Sequence, residues 1–134
     1  MQQAKILVVD DSKTVRAMLR RALCGAGFDV ILASDGLEAV RSARRDRPDL
    51  VILDIQMPQM DGYEACQEIL SIESLSNNLP VVFLTQETAR HLAALGSQLG
   101  AYLPKPCDEQ TLISTVRELL QRHHKPVSCL GVVS

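Results

Sequence analysis

The sequence predicts a doubly wound α/β fold, five parallel strands alternating with five helices, over 134 residues. Three observations carry this. Short apolar runs rich in β-branched residues recur along the chain, each continuous rather than alternating, as strands buried on both faces require. Between them the apolar residues recur at helical spacing. The strand–helix order repeats without a break, which in a parallel sheet places helices on both faces.

The elements follow in chain order. Ile6 to Val9 is the first strand. Val15, Met18, Leu19, Ala22 and Leu23 form the apolar stripe of the first helix, and Gly25 and Gly27 end it. Val30 to Ala33 is the second strand. Asp35-Gly36 opens a helix that runs to about Asp46, where Pro48 stops it. Leu50 to Leu53 is the third strand. The third helix is expected from Asp61 to about Leu75, with Tyr63, Cys66, Ile69 and Leu70 on one face and Ser76-Asn77-Asn78 as the following loop. Val81 to Leu84 is the fourth strand, Thr88 to about Leu99 the fourth helix, and Ala101 to Leu103 a weaker fifth strand. Asp108 caps the last helix, whose stripe is Leu112, Ile113, Val116, Leu119 and Leu120.

Composition narrows the function classes. A formal charge of −2 disfavours non-specific binding to nucleic acid or an anionic membrane. Four cysteines at 24, 66, 107 and 129 form no CxxC pair, so reduced thiols in a cytoplasmic protein are expected. No apolar run reaches the ~18–20 residues of a membrane span. His91, His123 and His124 have no Cys or carboxylate at metal spacing and read as solvated residues. Charge is uneven: residues 1–48 hold nine Lys/Arg against six Asp/Glu, and residues 49–134 five against ten. The excess lies in Lys13, Arg16, Arg20 and Arg21 and in Arg41, Arg44, Arg45 and Arg47, either two solvated helix faces or a basic rim for an acidic partner.

In open α/β sheets the site lies outside the carboxyl ends of the strands. The first strand ends in Asp10-Asp11, the third in Asp54, the fourth in Thr85, and Lys105-Pro106 follows the fifth. Three carboxylates, a hydroxyl and an ammonium therefore converge on one edge. Clustered carboxylates repel, and a hard divalent cation relieves that; Mg2+ prefers oxygen ligands and keeps several waters. A carboxylate beside Mg2+, an ammonium and a hydroxyl suits attack on phosphorus.

The stretches Ile6 to Ser12, Leu50 to Gly62, Leu84-Thr85 and Tyr102 to Pro106 together resemble the receiver domain of two-component response regulators, over residues 4 to about 122. The resemblance implies the flavodoxin-like strand order 2-1-3-4-5, with a receiver domain at 1–124 and a short tail at 125–134. It implies that Asp54 accepts a phosphoryl group from a histidine kinase or histidine phosphotransfer protein. It implies a stoichiometric phosphoacceptor with Mg2+-dependent self-phosphorylation and autodephosphorylation, rather than a turnover enzyme. Asp11 is expected to bind Mg2+ directly and Asp10 mainly through water; Asp54 and the backbone carbonyl of Gln56 supply further oxygens. Lys105 pairs with a phosphoryl oxygen and Thr85 donates a hydrogen bond to it. Tyr102 matches the switch aromatic that turns inward as Thr85 moves. A cis bond at Pro106 aims the lysine. Gln56 and Glu87 lie near the path of attacking water and tune phosphoryl lifetime. A downstream protein target is expected on the face of the fourth helix, fifth strand and fifth helix, without direct nucleic-acid or membrane binding.

Two departures from the family pattern stand out. The stretch from Thr85 to Lys105 is about two residues short. Gln86 is long where the family usually has a small residue. The charged pairs of winged-helix receivers are missing on the last face, where Arg117 and Arg122 lack obvious partners, so a monomer or weak dimer is expected. A receiver-like scaffold that binds partners without phosphorylation is the alternative. A phosphohydrolase with an aspartyl nucleophile after the first strand fits poorly, because Ser12 stands where its second Asp belongs.

Overall fold

The apolar runs are strands, and each sends alternate side chains to opposite faces of one sheet. The computed structural model describes residues 3–54, 62–72, 79–85, 100–104 and 108–124. Strands β1 (Lys5–Val9), β2 (Asp29–Ala33), β3 (Leu50–Asp54), β4 (Val81–Thr85) and β5 (Gly100–Pro104) form a parallel sheet in the order β2-β1-β3-β4-β5. Helices α1 (Lys13–Gly25), α2 (Gly36–Asp46) and α3 (Gly62–Leu70) lie between the first four strands, and α4 (Glu109–His124) follows β5. The expected helix from Thr88 to about Leu99 and the tail at 125–134 lie outside the described residues.

The pleat divides the core in two. Ile6, Val8, Leu50, Ile52, Val82 and Leu84 pack against Leu19 and Leu23 of α1 and Leu112 and Val116 of α4. Leu7, Val9, Val51, Leu53, Val81 and Phe83 pack against Ala39 and Ala43 of α2 and Ala65, Cys66 and Ile69 of α3. Burial pushes the Cys66 thiol up to about 11, so it stays protonated and packs as a small apolar group. Cys24 is exposed, and both are free thiols; Cys107 and Cys129 lie outside the described residues.

β1 and β3 are buried throughout apart from Lys5, as continuous apolar strands should be. β2 departs from that expectation. Val30, Ile31 and Leu32 are only half-buried because β2 is an edge strand, with a neighbour on one side alone.

Local chemistry sets the helix ends. Ser12 caps α1: its Oγ accepts from the Val15 N–H at 3.3 Å. Past α1, Gly27 takes φ +95, a conformation that favours glycine. The α2 start is a reciprocal cap, in which Asp35 accepts from the Glu38 N–H and Glu38 accepts from the Ser34 N–H. Asp108 caps α4 by accepting from the Thr111 N–H at 3.3 Å.

Three details correct the sequence reading. Met18 is 55 % exposed, because α1 meets the sheet through Val15, Leu19, Ala22 and Leu23 without it. α3 ends at Leu70 rather than near Leu75. There the Ser71 hydroxyl donates to the Glu68 carbonyl at 2.7 Å, offering the chain an alternative to another helical turn. Leu70 is consequently exposed, whereas Ile72, just past the end, turns back into the core. Arg117 does find a partner: its Nη2 donates to the Ala26 carbonyl at 3.5 Å, tying α4 to the end of α1.

α2 ends on Arg47 in the left-handed region at φ 50, ahead of Pro48. A side chain there costs about 1–2 kcal/mol, and glycine returns about 0.5–1 kcal/mol of that through its greater freedom when unfolded. Arg47→Gly is therefore expected to raise stability by about 0.5–1 kcal/mol in urea denaturation. A loss of stability would show that the arginine side chain contributes more than its backbone strain removes.

Candidate functional site

The sheet order creates the site. From β1 the chain moves outward to β2, then crosses back over β1 to β3 and onward. The strand order reverses between β1 and β3, and in open α/β sheets such a reversal marks the carboxyl-end site. Val9 sits beside Leu53 in the β1–β3 register, so the next residue on β1, Asp10, comes level with Asp54.

One carboxylate oxygen from each of Asp10, Asp11 and Asp54 lies within 4.8 Å of the others. Asp10 is 0 % and Asp54 4 % exposed, whereas Asp11 faces solvent. Two buried acids and one open to water make a cluster with an entrance on one side.

Asp10 is held at three points. Its N–H donates to the Ala33 carbonyl of β2 at 3.2 Å. Its Oδ1 accepts from the Ser12 N–H at 2.9 Å. Its carbonyl accepts from Arg16 Nη1 at 2.7 Å. Arg16, one turn into α1, thus clamps the strand end that carries the first acid. Sequence reasoning missed this role, because nothing in a run of basic residues shows which one turns toward a backbone carbonyl. Ser12 serves the start of α1, which fits its failure to match the second acid of an aspartyl phosphohydrolase.

Two more expected site residues enter through backbone register. Leu84 of β4 sits beside Asp54, and Thr85 follows it at the strand end. Thr85 in turn lies beside Pro104 of β5, the residue before Lys105. Tyr102 lies within β5, beside Phe83. Lys105, Pro106, Gln56, Gln86 and Glu87 lie outside the described residues.

The donor set suits a hard cation. Three carboxylate oxygens, two of them on buried residues, with no soft ligand among them, match the oxygen preference of Mg2+ and leave room for retained waters. Among the described residues this is the one cluster of three or more such side chains close enough to share a metal. Among them, too, no helix is long and apolar enough to cross a membrane.

Comparison with known proteins identifies the family. The family model described as response regulator receiver domain matches residues 6–117. The response regulator MprA of Mycobacterium leprae is 41% identical over 120 residues, covering 88% of this chain and 51% of that protein. Its counterpart in Mycolicibacterium vanbaalenii is 42% identical with the same coverage. The chain therefore spans about half the length of the curated relatives it matches. Among solved structures, the Vibrio cholerae chemotaxis protein CheY4 superimposes with a TM-score of 0.81 at 35% identity, over 88% of this chain and 99% of that one.

Proposed function

The chain belongs to the response regulator receiver family, and on that premise we propose that it is a Mg2+-dependent phosphoacceptor whose accepting residue is Asp54. The observation that carries this reading is the meeting of the Asp10, Asp11 and Asp54 carboxylates within 4.8 Å at the carboxyl ends of β1 and β3.

Asp10, Asp11 and Asp54, with the Gln56 carbonyl, are the residues that would hold Mg2+. The ion's part is to neutralise charge on the phosphoryl oxygens as it develops. An ionised Asp54 oxygen attacks phosphorus in line with the bond to the donor's histidine nitrogen. That P–N bond breaks as the new P–O bond forms, and the imidazole leaves with its electron pair. Asp54 has no proton to lose, so the step needs no general base. Lys105 and Thr85 then meet the phosphoryl oxygens from the β5 and β4 ends.

The product carries about two added negative charges. Shifting a two-state equilibrium from 1:99 to 99:1 takes about 5.5 kcal/mol of differential stabilisation. A hydrogen bond from Thr85 to a charged oxygen contributes about 1.5–3 kcal/mol. Thr85 therefore acts together with Lys105, Mg2+ and repacking around Tyr102, and the altered face is read by a partner protein.

Incubation with Mg2+ and acetyl phosphate tests the reading by intact mass. A phosphate-sized increment is expected on the wild type and none on Asp54→Asn. Absence of the increment together with absence of beryllofluoride binding would replace this reading with a receiver-like scaffold that works without phosphorylation.

A further inference from the structure

The basic run on α1 is not absorbed by the phosphoacceptor site. Lys13, Arg16, Arg20 and Arg21 line an open groove of about 480 Å³ between α1 and the edge strand β2. Ala17 and Leu32 give it an apolar floor. Among the described residues no carboxylate lines it. Among the described residues Lys13, Arg20 and Arg21 form no ion pair, whereas Arg45 of the other basic helix is matched to Asp46 at 3.0 Å. The groove lies on the β2 flank of α1. Ala22, Gly25 and Ala26 instead line a separate groove shared with α4.

We propose that this groove docks an acidic segment of a partner protein, one that carries apolar side chains among its Asp and Glu residues. Charge complementarity supplies the argument: four cations border an apolar strip, and none of the described residues that line it is acidic. The strip selects the occupant. A phosphodiester backbone has no use for an apolar floor, and the chain's formal charge of −2 disfavours nucleic acid as a partner. A peptide can set a Leu-sized side chain over Ala17 and Leu32 while its carboxylates reach the rim.

Fluorescence anisotropy with the full chain and a labelled peptide of repeated Glu-Glu-Leu tests this. Saturable binding is expected, weakened by about tenfold or more in Arg20→Glu/Arg21→Glu, and weakened in the wild type as salt is raised. A matched peptide of repeated Glu-Glu-Ser is expected to bind several-fold more weakly. Cys24 lines the same groove and is exposed, so bound peptide should also slow its alkylation, located by peptide mass mapping. That second readout needs no variant. Asp54→Asn should bind the peptide like the wild type, which separates this test from that of phosphoryl transfer. The proposal is overturned by no saturable binding up to about 1 mM peptide, by equal binding to the charge-reversed variant, or by an unprotected Cys24. Equal binding of the serine peptide overturns it as well. So does tighter binding of single-stranded DNA or anionic phospholipid vesicles that depends on the same arginines.

Discussion

Asp10→Asn is expected to weaken Mg2+ binding by on the order of 100-fold and, at the same time, to make the metal-free protein more stable. The two effects share one cause. Asp10 is fully buried, and one of its oxygens lies within 4.8 Å of oxygens from Asp11 and Asp54. At that separation two like charges repel by a few kcal/mol at the effective dielectric near a protein surface. A cation bound among the three carboxylates would offset that repulsion. Asparagine keeps the oxygen that accepts from the Ser12 N–H, so the backbone clamp survives while the charge goes. Loss of affinity should follow because Asp10 would hold the ion mainly through water, and losing such an outer partner costs about 10–100-fold. Thermal denaturation with EDTA and with Mg2+ reads both effects. Wild type should gain about 2.7 kcal/mol when Mg2+ is a hundredfold above its Kd, and the variant little at the same concentration. A variant that is less stable in EDTA and still responds to Mg2+ would remove Asp10 from the metal set.

Phe83→Ala carries the largest expected loss of stability, about 3–5 kcal/mol. Among the described residues Phe83 is the largest fully buried side chain, and it packs in the α2/α3 half of the core. Truncation removes its apolar area and leaves a cavity that the strands cannot close, because β4 is bonded on both sides, to β3 and β5. For a chain of this length the melting temperature should fall by about 10–20 °C. Phe83→Leu, which keeps most of the volume, should cost less than about 1.5 kcal/mol. Equal losses in the two variants would mean that ring shape, not filled volume, is what this site needs. A loss below about 1 kcal/mol in the alanine variant would contradict the packing of this face.

Much of this molecule was legible before its structure. The strands and the start of each described helix follow from apolar runs and from caps such as Asp35 and Asp108, which are local signals. Asp10, Asp11 and Asp54 could be picked out because each stands at a strand's carboxyl end. The misreadings concern neighbours. Met18 and Leu70 sit at helical spacing yet face solvent, because the width of a buried stripe depends on what packs against it. Val30 to Leu32, a continuous apolar run, read as buried on both faces and proved half-buried, because β2 has a neighbour on one side alone, at the edge the resemblance had given it. Arg16 was one of several cations until the path of α1 aimed it at the Asp10 carbonyl.

The sequence by itself determined the elements, their two periodicities and the polar residue that ends each strand, since these depend on bonds and contacts within a few residues. Tertiary structure decided which ends meet. Asp10 and Asp54 are far apart along the chain, and they come together because β3 pairs with β1 in the register Val9–Leu53. It also decided that the cations of α1 border a groove at β2 while Arg45 of α2 turns to Asp46. Strand order and register arise from the burial of both faces of the sheet at once, a property of the whole core that no local run of residues contains.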